Sequence, residues 1–156
     1  MTKKLLGVLL GTFLCTTSAQ SGPVDHYTTA DLSRDLAKLK TAAAATGSAS
    51  ETLEHYNNHF TMLAYRATNG AAELHQQLAD FFYVVHGSAT LLTGGTIPDS
   101  TLASPGELRG KAVVGGASTS LGVGDVVHIP AGTPHQLLIA PGQEFLYFVV
   151  KVKEQD

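Results

Sequence analysis

Residues 124–135 read Gly-Asp-Val-Val-His-Ile-Pro-Ala-Gly-Thr-Pro-His, and this stretch decides the fold. Its residues Val126–Ile129 have the β-branched composition of a strand, and the proline and glycine residues that follow predict a tight loop. The loop turns the chain so that His135 begins another strand. Side chains two apart on a strand point to one face, so His135 shares its face with Leu137 and Ile139. The stretch therefore predicts a strand, a loop and a strand that presents a histidine.

A second stretch, residues 73–87, has related chemistry. Glu73 and His75 are two apart on a predicted strand and therefore project to the same face. Asp80 opens the next predicted strand and shares its face with Phe82, Val84 and His86. Carboxylates inside an apolar barrel are costly unless they are paired or bound to a cation. The two stretches together predict a cluster of imidazoles and carboxylates.

These two stretches resemble the two motifs of the cupin superfamily. The second motif of that family, G-x5-P-x-G-x2-H-x3-N, is matched at Gly124, Pro130, Gly132 and His135, with Ile139 in place of the asparagine. The first motif runs G-x5-H-x-H, three or four residues, E, six residues and G. The spacing from His75 through Asp80 to Gly87 fits it, with Glu73 in place of the first histidine and Asp80 in place of the glutamate.

The resemblance implies that Glu73, His75, Asp80 and His135 bind one divalent metal ion. Only the two histidines match the family's ligands, and Asp80 is shorter than the glutamate it replaces. Two histidines with carboxylates suit iron, manganese, zinc or nickel. A three-ligand site without Asp80 remains open, and so does a metal-free barrel in which Glu73 and Asp80 make ordinary hydrogen bonds.

The pattern of the whole chain predicts an all-β fold, a sandwich or jelly-roll barrel with one N-terminal helix, and the resemblance implies a cupin-type jelly-roll β-barrel. Helical spacing of leucines predicts the helix at about 29–45, and short strands separated by glycine-rich turns predict the barrel at about 51–152. Residues 96–121 are rich in Gly, Ser, Thr, Ala and Pro and predict a long loop, either a lid or interface or a plain surface insertion.

Residues 1–19 have the pattern of a signal peptide: Lys3 and Lys4, an apolar run of about ten residues, and small residues before Gln20. We therefore expect a secreted or periplasmic protein whose mature chain, 20–156, is a single cupin domain without stable membrane association. Cleavage would remove Cys15, the only cysteine. The net charge of −3 gives no indication of nucleic-acid binding.

Other residues leave alternatives open. His86 and His128 are either groups near the pocket or structural and surface histidines, and Arg66 pairs either with an anionic substrate or with a structural carboxylate. Phe81, Tyr83 and Val85 face away from Asp80 and predict a homodimer through the outer sheet. The leading functional hypothesis is a metal-dependent enzyme of dioxygenase, isomerase or cyclase type that acts on a small organic substrate in the barrel mouth. The alternative is a non-catalytic extracytoplasmic protein that binds a small molecule or a metal.

Overall fold

The computed structural model describes residue 22 and residues 24–154 of the chain. This part of the chain contains one helix, α1 (Thr29–Ala42), and eleven strands. The strands are β1 (Ser48–His55), β2 (His59–Arg66), β3 (Ala72–His75), β4 (Leu78–Gly87), β5 (Ala89–Thr93), β6 (Thr101–Ser104), β7 (Glu107–Gly110), β8 (Ala117–Leu121), β9 (Val126–Ile129), β10 (His135–Leu138) and β11 (Phe145–Lys153). The predicted all-β jelly-roll with an N-terminal helix is confirmed.

The strands form two sheets that pack face to face. One has five strands in the order β1-β2-β11-β4-β9, and the other has six in the order β6-β7-β3-β10-β5-β8. The main core lies between them and contains buried residues from both sheets, such as Phe82, Val84 and Tyr147 from the first and Leu91 and Leu137 from the second. This sandwich brings β3 and β10 of one sheet opposite β4 and β11 of the other.

Strand β11 is apolar on both faces because each face is covered by a different element. Phe145, Tyr147 and Val149 point into the core between the sheets. Leu146 points outward and packs in a second cluster with Leu39 of the helix. Successive side chains of a strand alternate between its faces. The next inward position after Val149 is therefore residue 151.

Helix α1 begins at a capping box, in which Thr28 and Asp31 bond reciprocally to each other's backbone amides. Its residues Leu32 and Leu39 pack on Leu63 of β2 and cover the outer face of the five-stranded sheet. The helix ends at Ala42, before the predicted limit of about residue 45.

Residues 96–121 are not the long loop that their composition predicts. They contain β6, β7 and β8, and a bridge between Thr96 and Val114 closes the connection. Strand β7 pairs with β3, and β8 pairs with β5, so the segment extends the six-stranded sheet. The residues of β6 and all but Leu121 of β8 are exposed, so the apolar alternation that usually indicates a strand is missing here.

The glycine of the first motif has a structural reason. Gly87 adopts φ +76°, and a Cβ at this position would lie 1.7 Å from the backbone oxygen of Glu144. Only glycine lets the chain leave β4 this close to the neighbouring backbone.

Within the described ranges, no helix has the length and apolar character needed to span a membrane. The predicted signal peptide, residues 1–19, lies outside the described residues.

Candidate metal centre

The strand pairing of the six-stranded sheet joins the two motifs. Glu73 of β3 and His135 of β10 are direct partners in the register of these antiparallel strands. Directly opposite residues place their side chains side by side on one face. The Glu73 carboxylate oxygen Oε2 lies 3.9 Å from His135 Nε2.

His75 joins this pair from two residues further along β3. Its Nε2 lies 3.6 Å from Glu73 Oε2, and the rings of His75 and His135 have centroids 5.1 Å apart. The Gly132 amide donates a 2.7 Å hydrogen bond to the His75 backbone oxygen. This bond fastens the loop of the second motif to the strand of the first.

Asp80 faces the cluster from the other sheet and has a direct strand partner of its own. Lys151 of β11 lies opposite Asp80 of β4 in the register. Its Nζ donates to both carboxylate oxygens, at 2.6 and 2.7 Å. Asp80 is 2 % exposed, so the site contains a buried ion pair supplied by the chain itself.

Hydrogen bonds fix the tautomer of His135. Its Nδ1 lies 2.9 Å from the Thr133 backbone oxygen, which can only accept, so Nδ1 carries the proton. Nε2 therefore presents a lone pair, and this buried atom has no hydrogen-bond partner among the described residues. Burial lowers the pKa of the His135 imidazole, which keeps the ring neutral.

His75 is oriented in the same sense by a carboxylate. Its Nδ1 lies 2.5 Å from Glu107 Oε2, and its Nε2 lies 2.7 Å from Lys151 Nζ. An ammonium group can only donate, so His75 Nε2 accepts and Nδ1 donates to Glu107. A carboxylate behind an imidazole is the usual arrangement for a metal-binding histidine.

The donor set fits a divalent metal ion. Ligand atoms of Glu73, His75 and His135 all lie within 4.8 Å of one another. Asp80 is outside this group of three, although its Oδ2 lies 3.4 Å from His75 Nε2 and 3.7 Å from His135 Nε2. The orphaned lone pair of His135 is the strongest sign of fit, since a buried polar atom without a partner is costly.

The ion pair also determines the ionisation of Asp80. Burial raises the pKa of its carboxyl, but the interactions with His75 and Lys151 outweigh burial and hold the pKa below the ordinary value. Asp80 is therefore a carboxylate at neutral pH whose charge is already balanced.

A cavity of about 330 Å³ opens from this cluster. Its wall is apolar at Met62, Phe82 and Val149 and cationic at Arg66 and Arg109. The guanidinium groups of these arginines lie 3.8 Å from the Glu73 carboxylate, on different oxygens. Arg66 also donates to the buried Tyr147 hydroxyl at 3.1 Å, and burial raises the pKa of Tyr147.

The structure brings the four predicted site residues together and separates the remaining histidines from them. His86 and His128 are exposed, with His128 stacked on Phe81 at a centroid distance of 4.4 Å. Arg66 pairs with the site carboxylate Glu73 and also lines the cavity.

Sequence reasoning missed Lys151, Glu107 and Arg109. The signal for Lys151 was present: a lysine continues the inward-facing series Phe145, Tyr147 and Val149 at period two. Glu107 and Arg109 were hidden because the composition of their strand β7 predicts a loop.

No protein-family model matches the sequence, and a comparison with curated proteins also finds no match. Solved structures do match. The protein TT1209 from Thermus thermophilus is similar with a TM-score of 0.55 and 14% identity, over 78% of this chain and 94% of that one.

Two further solved structures are similar in fold. A protein with a double-stranded β-helix domain from Klebsiella pneumoniae has a TM-score of 0.52 and 15% identity, over 69% of this chain and 78% of its own. The polyketide cyclase RemF from Streptomyces resistomycificus has a TM-score of 0.50 and 20% identity, over 70% of this chain and 67% of its own. The shared architecture shows that the chain has the double-stranded β-helix fold, and its two motifs resemble those of the cupin superfamily.

Proposed function

We propose that this protein is a metal-dependent enzyme that acts on a small organic molecule in the mouth of its barrel. One observation carries the proposal. Ligand atoms of Glu73, His75 and His135 converge within 4.8 Å, and the Nδ1 atom of each imidazole is held by an acceptor. A histidine held in this way is typical of a metal ligand. The buried Nε2 lone pair of His135 has no hydrogen-bond partner among the described residues, which is costly without a cation.

Glu73, His75 and His135 would hold the ion, with Asp80 as the predicted fourth group. A divalent ion bound here would act as a Lewis acid toward a carbonyl or enol oxygen. The chain itself contributes the shape of the cavity, whose volume is at the lower end of the range for small-molecule sites. Phe82 and Val149 give it an apolar inner wall.

Lys151 supplies the proton carrier that a catalytic site needs. Its ammonium group lines the cavity and is held by Asp80 beside the three ligand atoms. We assign to Lys151 Nζ the proton that is delivered to or taken from the substrate. A positioned proton donor favours catalysis over simple binding.

The size and charge of the cavity support a small organic substrate. Arg66 and Arg109 place two guanidinium groups on its wall, and these favour a substrate with an anionic oxygen. The similar structure RemF is a polyketide cyclase, which is one of the reaction types that the sequence left open. Fold likeness does not select a reaction, so the metal and the substrate are the quantities to measure.

Elemental analysis of protein purified without chelators tests the metal, and oxygen consumption with candidate diols and enols tests dioxygenase chemistry. We expect about one divalent ion per chain, and an increase in the melting temperature with iron, manganese, zinc or nickel, because the ion binds the folded state. The variant His135→Ala should show neither effect. Wild-type protein without metal and without a thermal shift would contradict the proposal and leave a non-catalytic binding protein.

We also propose export and dimerisation. Cleavage should leave Gln20 as the first residue of protein recovered from the periplasm or medium, and intact Met1 by mass spectrometry would contradict export. Of the three residues from which the sequence predicts the interface, Phe81 and Tyr83 are exposed, whereas Val85 is half-buried against the second cluster. Together with the exposed Val126 of the neighbouring strand β9, Phe81 and Tyr83 support a homodimer through this outer patch. A monomer mass by light scattering at micromolar concentration would contradict it.

A further inference from the structure

The His75 lone pair that a metal would need is already used. A neutral imidazole has one acceptor nitrogen, and in His75 that atom, Nε2, accepts from Lys151 Nζ at 2.7 Å. The other nitrogen is committed to Glu107 at 2.5 Å. A metal ion can bind His75 only if the ammonium group of Lys151 moves off Nε2.

Lys151 also holds the carboxylate that faces the cluster. Both oxygens of Asp80 accept from Nζ, at 2.6 and 2.7 Å, and the two residues are direct partners across the sheet. The side chains of Asp80 and Lys151 are 2 % and 14 % exposed, so water screens this pair little. The negative charge of Asp80 is therefore balanced before any ion arrives.

Glu73 differs in this respect. Its nearest cationic partners, Arg66 and Arg109, lie at 3.8 Å and outside hydrogen-bond distance. His135 Nε2 has no hydrogen-bond partner within the described part of the chain. These two groups can accept a cation without breaking a bond, whereas His75 and Asp80 must first release one.

We propose that Lys151 is a resident cation that competes with the metal ion for His75 and keeps Asp80 out of the ligand set. The inference rests on the proposed metal site and specifies it. The ion is held by Glu73, His75 and His135 alone, with one carboxylate instead of two. Fewer anionic ligands leave the ion more electrophilic and less tightly bound.

The experiment is a two-by-two set of variants titrated with Co²⁺: wild type, Lys151→Met, Asp80→Asn and the double variant. Calorimetry gives the affinity, and the visible absorption of Co²⁺ reports the number and type of its ligands. Lys153→Met removes an exposed lysine from the same strand and serves as the control.

We expect Lys151→Met to bind Co²⁺ at least about tenfold more tightly than wild type, because repulsion between the ammonium and the ion is removed. Asp80→Asn should cost about tenfold more affinity in the Lys151→Met background than in wild type, because only there can Asp80 reach the ion as its counter-charge. The Co²⁺ spectrum should change with Asp80→Asn in the Lys151→Met background and stay the same in wild type. Lys153→Met should match wild type throughout.

Equal affinity of wild type and Lys151→Met would overturn the inference while leaving a metal-binding protein. Binding by Lys151→Met but not by wild type would support the inference and contradict the proposed function. Binding by neither would overturn both.

Removing Lys151 leaves the Asp80 charge unpaired, which threatens the folding of the single variant. If Lys151→Met does not fold, the double variant is compared with Asp80→Asn, since both lack the carboxylate. Tighter binding by the double variant supports the competition for His75, and equal binding overturns it.

Discussion

Two cross-strand pairs face each other across the barrel mouth, and they differ in how far their polar atoms are satisfied. On the six-stranded sheet, Glu73 is paired with His135, whose buried Nε2 atom has no hydrogen-bond partner among the described residues. On the five-stranded sheet, Asp80 and Lys151 satisfy each other at 2.6 and 2.7 Å. The first pair has a buried nitrogen atom that can still bind a cation. The second pair already contains a cation, the Lys151 ammonium group.

A position in a motif therefore does not by itself make a residue a metal ligand. Asp80 and Glu73 both stand where the cupin motif has a metal-binding residue. The nearest cations separate them: Lys151 donates hydrogen bonds to Asp80, whereas the two guanidinium groups beside Glu73 lie at 3.8 Å, outside hydrogen-bond distance. A carboxylate that is already hydrogen-bonded to a cation gains less from a metal ion. Lys151, which lies far beyond the first motif in the sequence, determines what Asp80 does.

The largest expected effect is the loss of either imidazole of the site. Replacing His135 or His75 with alanine should abolish stoichiometric metal, because each supplies one of only two imidazole ligands. Chelation should lower the melting temperature of wild type but not of His135→Ala. His128→Ala, which removes an exposed histidine, is the control and should keep its metal. Retained metal in His135→Ala would show that the ion binds elsewhere.

Two isosteric amide substitutions test whether the two carboxylates have different roles. Glu73→Gln should lower metal affinity by more than about 100-fold, whereas Asp80→Asn should lower it by about 10–100-fold, the usual loss for a group next to the ligands. The order should reverse for the metal-free protein, in which Asp80→Asn destabilises the fold more than Glu73→Gln because only Asp80 loses hydrogen bonds. Equal effects on both readouts would mean that the two carboxylates have the same role.

The ion pair of Asp80 and Lys151 should contribute to the free energy of unfolding. Lys151→Met should lower the free energy of unfolding of the metal-free protein by about 2 kcal/mol, less than for a fully buried pair because Asp80 can take up a proton. The double variant Asp80→Asn with Lys151→Met should regain much of this loss. Urea unfolding measures both changes. Lys38→Met breaks an exposed lysine–carboxylate pair with Glu51 and should have little effect.

The sequence predicted that the polar residues of the two motifs lie together, and the structure places them so. The two motifs identify Glu73, His75 and His135, because period-two spacing and the Pro-Gly loop are local features that fix the directions of these side chains. Lys151 was missed because it belongs to no motif. Its position on the inner face follows from alternation with Tyr147 and Val149, but its partner Asp80 follows only from the register of β11 against β4. Register between distant strands is a tertiary property.

The second failure has a compositional cause. Strands β6 and β8 form the two edges of the six-stranded sheet, and most of their side chains are exposed. Strand β7 lies next to β6, and its side chains are half-buried. Strands in such positions have no need for apolar residues, so the composition of residues 96–121 predicts a loop. Because β7 was not predicted as a strand, Glu107 and Arg109 were not predicted as site residues. In the structure β7 places Arg109 directly opposite Glu73 and Glu107 opposite His75.

The smallest expected effect lies outside the site and tests whether charge pairs act locally. Hydrogen bonds from the Thr28 side chain and backbone, followed by Arg34, lower the pKa of Asp31 to about 2. A carboxyl whose pKa is lower in the folded state than its ordinary value of 3.8 stabilises the fold above pH 3.8, and this stabilisation is lost as the pH falls through about 2. Asp31→Asn keeps an acceptor oxygen and removes the charge. It should therefore lower the melting temperature slightly at pH 7, and the difference from wild type should disappear near pH 2.

Metal affinity should be unchanged in Asp31→Asn, because α1 packs on the outer face of the five-stranded sheet and the metal centre lies between the sheets. A weaker metal site in Asp31→Asn would show that the helix and the barrel mouth are coupled, and the contrast between the two cross-strand pairs would then no longer be a property of their immediate partners.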